Sequence, residues 1–194
     1  MAKLYFRYGA MNSGKTTFLL QVAHNYEEKG LKILLFKPKV DVKGGDTVVS
    51  RLGISRKVDY LVDKDDKIMS YIDPTNIPDA ILVDEAQFLK KEQIDELYFI
   101  SKEYNVPVLA YGLRNDFSLN TFEGSSRLLA LADTIEELKT ICKCGKKATQ
   151  NMRLLNDIPV FEGDSVLIDG TSDYIYEPVC GECYIRERKK YKNN

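Results

Sequence analysis

The sequence is poor in several features that would indicate particular kinds of function. Its one histidine, His24, lies in a segment with helical spacing, so a histidine-activated nucleophile is excluded. Its 28 basic and 29 acidic residues give a net charge of −1, so no broad field favours nucleic acid or an anionic membrane. No apolar run approaches membrane-spanning length, and no signal-peptide core is present at the N-terminus. We expect a cytoplasmic protein that binds neither nucleic acid nor membrane.

Cysteine is also scarce, and its placement is informative. All four cysteines fall into two close pairs, Cys142 with Cys144 and Cys180 with Cys183. In a cytoplasmic protein such pairs are more typical of metal ligands than of disulfides. The second pair has the usual C-x₂-C spacing, whereas the first pair is one residue shorter. Because four thiolates on two tight turns form a closed tetrahedral site, the sequence predicts one structural Zn²⁺.

The clearest motif in the sequence is a phosphate-binding P-loop, G-x-x-x-x-G-K-[ST]. Its residues are Gly9, Ala10, Met11, Asn12, Ser13, Gly14, Lys15 and Thr16. A short apolar run precedes it, and residues 17–29 follow with apolar side chains at helical spacing and Gly30 as a stop. Strand, loop and helix in this order let backbone N–H groups surround a phosphate at a helix N-terminus.

A pair of acids provides the second chemical signal. Asp84 and Glu85 follow the apolar residues 80–83, which predict a buried strand. In P-loop enzymes the acid at this position holds Mg²⁺, so we expect Thr16 and Asp84 to hold Mg²⁺ with ATP. Glu85, one residue further on, is placed to deprotonate an attacking oxygen. That oxygen could belong to water in an ATPase or to a substrate hydroxyl in a kinase, and Glu85 alone does not distinguish them.

The remaining apolar pattern predicts an α/β fold, because strands alternate with helices in the order of a parallel sheet with right-handed crossovers. Predicted strands occupy residues 4–8, 31–36, 58–62, 80–83 and 106–111, and predicted helices occupy residues 17–29, 65–72, 91–104 and 125–132. Helical periodicity stops after about residue 141. We therefore expect a nucleotide-binding domain at residues 1–141 and a zinc-binding lobe with a basic tail at residues 142–194. Residues 145–179 are too few and too polar to build a core of their own.

Residues 41–57 are polar and rich in glycine, which predicts a long mobile loop. Its arginines, Arg51 and Arg56, are either surface charges or groups that close over bound phosphates. If the loop is a lid over ATP, we expect Arg51 to be the arginine that contacts the phosphates.

These motifs together resemble those of the zinc-containing, type II thymidine kinases found in many bacteria and in animal cytosol. The resemblance rests on the P-loop, the cysteine pairs and three further stretches, namely residues 84–88 (DEAQF), 111–117 (YGLRNDF) and 168–174 (IDGTSDY). They occur in the family's order and extend over nearly the whole chain. The resemblance implies an ATP:thymidine 5′-phosphotransferase with a P-loop, RecA-like sheet and a small C-terminal zinc-binding lobe. It also implies a homotetramer and feedback inhibition by thymidine triphosphate.

The resemblance assigns roles to individual residues. Glu85 would be the base for the nucleoside 5′-hydroxyl, and Arg51 would belong to the lid. The implied ATP site comprises Gly9, Ala10, Met11, Asn12, Ser13, Gly14, Lys15, Thr16, Asp84, Glu85, Ala86 and Gln87. The implied thymidine site comprises Met11, Phe88, Phe122, Gly170, Tyr174 and Tyr176, the last three in a loop from residue 164 to 176 that folds over the base.

Two questions stay open in the sequence. Asp169 stands where the family usually has glycine, and the loop is two residues longer than usual. Spacing from Ile168 favours Tyr174 as the tyrosine that covers the base, whereas spacing from Cys180 favours Tyr176.

The competing function is a nucleic-acid-dependent ATPase, because residues 84–87 (DEAQ) resemble a helicase box. Such enzymes need a second ATPase lobe, for which 194 residues leave no room.

Overall fold

The structure, a computed structural model, describes residues 1–163 and 174–192. In this part of the chain the strands are β1 (Leu4–Tyr8), β2 (Ile33–Pro38), β3 (Thr47–Val49), β4 (Ser55–Lys57), β5 (Tyr60–Val62), β6 (Ala80–Val83), β7 (Val108–Gly112), β8 (Thr134–Glu137), β9 (Thr140–Ile141), β10 (Lys147–Ala148), β11 (Gln150–Leu155), β12 (Ile158–Val160) and β13 (Tyr174–Val179). The helices are α1 (Lys15–Glu27), α2 (Lys91–Glu103), α3 (Glu123–Leu131) and α4 (Gly181–Lys192), with short 3₁₀ turns at Ile68–Tyr71 and Ala86–Phe88.

Six of these strands form one parallel sheet in the order β5-β2-β6-β7-β1-β8. Alternate residues of its central strands enter two separate apolar clusters. In β6, Ile81 and Val83 pack with α2 and α3 on one face, while Ala80 and Leu82 pack with α1 on the other. A sheet covered on both faces needs apolar residues at every position of its inner strands, as β6 shows. The predicted α/β class is confirmed.

A smaller unit follows the main sheet. Strand β11 pairs antiparallel with β12 on one side and β13 on the other, and β9 pairs with β10. Met152, Leu154 and Val179 form an apolar cluster with three of the cysteines and with Tyr184 of α4. Residues 145–179 do not build this core alone, as expected, because α4 and three of the cysteines complete it from outside that range. The basic tail is part of α4 rather than an unstructured end.

Several predicted elements are confirmed with shifted ends. Strand β6 and helix α2 agree with the sequence pattern to within one residue, whereas β2 begins two residues later than expected. Helix α1 ends at Glu27, two residues earlier than predicted, and a turn leads to Gly30, whose φ is 71°. The Leu31 N–H then donates a hydrogen bond to the Tyr26 carbonyl oxygen at 3.0 Å. Strand β8 was not predicted. Residues 65–72 form only a short 3₁₀ turn.

The expectation of a long loop at residues 41–57 was wrong, because β3 and β4 form an antiparallel hairpin there. Val48, 1% exposed, anchors this hairpin to the cluster beneath α1, which explains why the polar segment is ordered. Across residues 1–163 and 174–192, no helix combines the length and apolar character needed to cross a membrane.

Candidate active site

The phosphate loop connects the end of β1 to the start of α1. Its first residue must be glycine, because a Cβ on Gly9 would lie 2.4 Å from both the Leu138 carbonyl oxygen and Ser13 Oγ. Asn12 and Gly14 have left-handed backbone conformations, with φ of 63° and 78°. These turns lead the chain directly into α1, so the motif has the strand–loop–helix setting that phosphate binding requires.

Lys15 is the first residue of α1, and its side chain is buried. Its ammonium donates to the carbonyl oxygens of Gly9 and Ala10, both at 3.0 Å. Burial lowers the pKa of Lys15, and the nearby carboxylates of Glu85 and Asp84 oppose that shift. The lysine therefore lies between the phosphate loop and the acid pair, where it can bind the phosphates of a nucleotide.

The two acids follow β6 but have different environments. Asp84 is 5% exposed, and burial together with the charge of Glu85 raises the pKa of Asp84 to about 8, while Lys15 opposes the rise. Glu85 has φ 48° and ψ 40°, a conformation that is uncommon outside glycine. Backbone outliers of this kind concentrate at functional sites. The turn at Glu85 leaves Asp84 buried while Glu85 lines a cavity.

Gln87 connects Glu85 to the end of β7. Its amide N–H donates to Glu85 Oε2 at 2.5 Å, and its carbonyl oxygen accepts from the Leu113 N–H at 3.0 Å. Gln87 is 2% exposed, so both ends of its amide group are used inside the protein. The amide therefore restrains the carboxylate of Glu85. Ala86 is fully buried at the start of the same 3₁₀ turn.

A cavity of about 470 Å³ opens over the phosphate loop. The loop and the first turn of α1, including Thr16, form one wall, and Glu85 contributes to another. The β3–β4 hairpin forms a third wall through Val49, Arg51 and Leu52. Lys15, Glu85 and Arg51 thus face the same space.

The two arginines of the hairpin have different surroundings. Arg51 lines the cavity, and its charge acts on Lys15. Arg56 instead pairs with Glu27 of α1 at 3.0 Å and with Asp59 at 3.1 Å. Arg56 therefore attaches the hairpin to the main domain, whereas Arg51 is available to a ligand in the cavity.

The residues expected around the nucleoside lie in two groups. Phe88 and Phe122 pack edge to face, with ring centroids 5.7 Å apart, beside the acid pair. Met11 lines the cavity on the phosphate-loop side. Gly170 falls outside the described residues, as do most of the residues of the expected base-covering loop.

Tyr174 and Tyr176 both lie on β13, two residues apart and hence on one face of the strand. Tyr176 is directly opposite Arg153 of β11. The Arg153 guanidinium carbon lies 5.0 Å from the centre of the Tyr174 ring and 3.6 Å from that of Phe117. Tyr174 therefore packs on a buried arginine that also stacks on the loop after β7.

The four cysteines converge on one point at the end of the smaller unit. The sulfur atoms of Cys142, Cys144, Cys180 and Cys183 all lie within 4.8 Å of one another, and those of Cys144 and Cys180 are 3.5 Å apart. A tetrahedral zinc ion with Zn–S bonds of about 2.3 Å separates its sulfur ligands by roughly 3.8 Å. The four side chains therefore have the chemistry and spacing to hold a metal ion.

Comparison with known proteins agrees with this geometry. The sequence profile described as "Thymidine kinase" matches residues 2–184. A protein of Lactobacillus acidophilus named Thymidine kinase is 49% identical over 191 residues, which cover 93% of this chain and 94% of that protein. Proteins of the same name from Streptococcus pyogenes and Lactococcus lactis are each 46% identical, covering 95% and 96% of this chain and 97% and 98% of their own lengths. The chain belongs to the thymidine kinase family.

Membership of the thymidine kinase family confirms the resemblance drawn from the motifs, and the helicase-like alternative is not supported. The family relationship extends through the acid pair and both cysteine pairs, because all of them lie within residues 2–184. A phosphate loop, an acid pair and a cysteine cluster in one member of this family indicate a phosphotransferase.

Sequence reasoning missed the side chains of β11 that contact the main domain. Asn151 accepts a hydrogen bond from the backbone of Met11, and Arg153 stacks on Phe117. The only signal was the alternation of polar Asn151 and Arg153 with apolar Met152 and Leu154, a pattern typical of a strand with one buried face. That pattern was hidden in a segment interpreted as a polar loop.

Proposed function

We propose that this chain is a thymidine kinase that transfers the γ-phosphate of ATP to the 5′-hydroxyl of thymidine or deoxyuridine, as in nucleotide salvage. The observation that supports this most is that Lys15, Glu85 and Arg51 line one cavity beside the phosphate loop of a thymidine kinase family member. A cationic group for phosphate and a carboxylate base for a hydroxyl are the two components that the reaction needs.

The phosphate loop binds the donor in this proposal. Backbone N–H groups of residues 9–16 surround the phosphates at the positive end of α1, and Lys15 exchanges its carbonyl contacts for phosphate oxygens. Arg51 closes on the phosphates from the hairpin. Ala86 and Gln87 complete the ATP site, because they form the turn after the acid pair and Gln87 donates a hydrogen bond to Glu85.

Thr16 and Asp84 are the residues that would hold Mg²⁺. A hydroxyl and a carboxylate supply the oxygen ligands that this ion prefers, and Asp84 is buried beside Lys15 of the phosphate loop. Bound Mg²⁺ neutralises charge on the phosphates of ATP. A positive ion held there would favour the ionised form of Asp84, which burial disfavours.

Glu85 acts as the general base. Its carboxylate accepts the proton of the nucleoside 5′-hydroxyl as that oxygen attacks the γ-phosphorus and the bond to ADP breaks. Gln87 holds the carboxylate, and the left-handed backbone at Glu85 directs it into the cavity. The proton remains on Glu85 until it is released to solvent with the products.

Thymine is bound between the main domain and the smaller unit. Met11, Phe88 and Phe122 provide apolar contacts, including a pocket for the thymine methyl group, and Gly170 belongs to the loop over the base. Tyr176 covers the base in our proposal, because the spacing from Cys180 at the zinc site is the more rigid anchor. Backbone groups of the loop read the edge of the base, so purine nucleosides are rejected and deoxycytidine is a poor substrate.

Residues 1–141 form the kinase domain, and residues 142–194 form a lobe organised by one structural Zn²⁺ on Cys142, Cys144, Cys180 and Cys183. Strand β9, directly before this boundary, pairs with β10 of the lobe. By family resemblance we further propose a cytoplasmic homotetramer that thymidine triphosphate inhibits. Light scattering in solution tests the tetramer, and titration of the nucleotide into the activity assay tests the inhibition.

One assay tests the proposed function against its competitor. Release of ADP from ATP is measured with thymidine, with single-stranded DNA and with neither addition. Turnover that requires thymidine supports the kinase, turnover that requires DNA supports a nucleic-acid-dependent ATPase, and equal turnover in all three arms contradicts both.

A further inference from the structure

A hydrogen bond connects the smaller unit to the phosphate loop. Asn151 Oδ1 accepts from the backbone N–H of Met11 at 2.7 Å, across 140 residues of sequence. Asn151 is 4% exposed, whereas Met11 is half-buried at the edge of the cavity. Met11 is the third residue of the phosphate-binding motif. A side chain from another part of the fold therefore fixes the direction of one N–H group within the loop.

The neighbouring residue makes a second connection. Gln150 Oε1 accepts from Asn115 Nδ2 at 2.8 Å, and Asn115 is itself 5% exposed. Asn115 lies in the loop after β7, the same loop whose Leu113 N–H donates to Gln87. The first two residues of β11 thus contact both loops that carry the reacting groups, the phosphate loop and the loop that supports the candidate base.

The position of Asn151 is set by the smaller unit. Strand β11 is the middle strand of its sheet, and Asn151 lies opposite Pro178 of β13, two residues before Cys180. The opposite face of β11 carries Met152 and Leu154 into the apolar cluster that includes three cysteines. A change in the packing around the cysteines would therefore move Asn151 relative to the phosphate loop.

We propose that Asn151 is a positioning residue for the phosphate loop and that it couples the cysteine-bearing unit to binding of the donor phosphates. The loop binds an anion through backbone N–H groups, whose directions depend on the backbone at each residue. Without the acceptor on Asn151, the Met11 N–H would lose this partner, and its direction within the loop would no longer be fixed. This inference rests on the proposed use of the loop for ATP.

The coupling gives the smaller unit a role in binding the phosphate donor, in addition to the contact with thymine proposed above. Damage to the unit, such as loss of a cysteine ligand, would then weaken binding of ATP even without thymidine present. A unit that contributed only to the nucleoside site would leave ATP binding unchanged.

The test compares two substitutions at adjacent positions of β11. Asn151→Leu keeps a side chain of similar size but removes the oxygen that accepts from Met11. Met152 is 7% exposed, so Met152→Ala destabilises the apolar cluster of the same unit. It leaves the accepting oxygen of Asn151 in place. For the wild type and both variants, calorimetry gives the Kd for Mg·ATP without thymidine, kinetics give the KM for thymidine, and elemental analysis gives bound zinc.

We expect Asn151→Leu to raise the Kd for Mg·ATP about tenfold, which is the scale for loss of one hydrogen bond that orients the loop. The zinc content should be unchanged. The KM for thymidine should change by less than about twofold, which is the deviation expected when two sites act independently. Met152→Ala should raise the Kd for Mg·ATP less than Asn151→Leu does, because it alters the packing that positions Asn151 but keeps the accepting oxygen. If Asn151→Leu does not fold, Asn151→Ser replaces it, because its side chain is one bond too short to reach Met11.

An unchanged Kd for Mg·ATP in Asn151→Leu would overturn the proposal. Equal weakening of ATP binding by both substitutions would also overturn it, because Asn151 would then act only through the stability of the unit. The ATP measurement needs no thymidine, so it remains decisive even if the wild-type protein fails to phosphorylate thymidine.

Discussion

The Gln87 side-chain amide donates a hydrogen bond to the carboxylate of Glu85 over 2.5 Å. Gln87 is buried, and its other end is held by the backbone N–H of Leu113. Because Glu85 also has a left-handed backbone, both its main chain and its side chain are constrained. A base held in this way is already oriented before the substrate binds, which lowers the entropic cost of the reaction.

Substitution of Glu85 by Gln should lower kcat by about 10²–10⁴, the typical effect of removing a general base. The Kd for ATP should change little, because the shape of the side chain is kept. Steady-state kinetics with thymidine and a separate ATP-binding measurement check both values. Glu92→Gln, on the exposed side of α2, removes the same charge elsewhere and should leave kcat unchanged. A Glu85→Gln variant with more than about half of the native kcat would contradict the assignment.

Replacement of Gln87 by Leu should lower kcat by about 10- to 100-fold, because a misplaced base loses its alignment with the hydroxyl. Binding of ATP should stay near the native value if Gln87 acts through Glu85. The combination of Gln87→Leu with Glu85→Gln should be no slower than Glu85→Gln alone, since the restrained carboxylate is already absent. Weakened ATP binding with an unchanged kcat would instead assign Gln87 to a direct ATP contact.

Most of the main fold could be predicted from sequence, because its inner strands are buried on both faces and are therefore continuously apolar. Strand β6 is the clearest case, since four apolar residues end at two acids. Strand β8 escaped prediction because it is an edge strand with the sequence Thr-Ile-Glu-Glu, in which one side chain of four is apolar. The hairpin at residues 47–57 was missed because Val48 is its only fully buried apolar anchor.

The candidate site could also be predicted only in part from the sequence. The phosphate loop, the acid pair and the cysteines were recognisable because each is a short motif whose spacing reflects its chemistry. The contacts of Asn151 and Gln87 were not recognisable, because each depends on a partner brought close by tertiary structure, over 140 residues in the case of Asn151 and Met11. The preference for Arg51 over Arg56 was already expected from the sequence, and the hairpin shows its physical basis, because it directs Arg51 to the cavity and Arg56 to α1.

Arg51→Ala should raise the KM for ATP about tenfold, because the donor phosphates would lose one charge-assisted contact. The KM for thymidine should change less. Lys57→Ala provides a matched control, since it removes a positive charge from the same hairpin, where Lys57 is 77% exposed and pairs with Asp46 at 3.1 Å. Identical effects of the two substitutions would show that only the net charge of the hairpin matters and would exclude a specific role for Arg51.

Purified protein should contain one Zn²⁺ per chain, and Cys180→Ser should lower both its zinc content and its thermal midpoint, because metal binding contributes directly to folding free energy. Elemental analysis and thermal unfolding check this. Lys143→Ser, at an exposed position between two of the cysteines, should retain the metal. A zinc content below about a tenth of an ion per chain in protein prepared without chelators would refute the site.

Tyr176→Ala should raise the KM for thymidine more than Tyr174→Ala does, because Tyr176 covers the base in our proposal. Tyr174→Ala should instead lower the thermal midpoint more, since it removes an aromatic contact from a buried arginine. Steady-state kinetics and thermal unfolding separate the two effects. The reverse order of KM values would assign the base contact to Tyr174.

The most direct measurement of the central claim follows the phosphate itself. ATP labelled at the γ-phosphorus is incubated with the protein and thymidine, and the products are separated and identified. The account predicts label in thymidine 5′-monophosphate in equal amount to the ADP formed, and loss of that transfer in Glu85→Gln. Label found only in inorganic phosphate, or transferred to deoxyguanosine as efficiently as to thymidine, would contradict it.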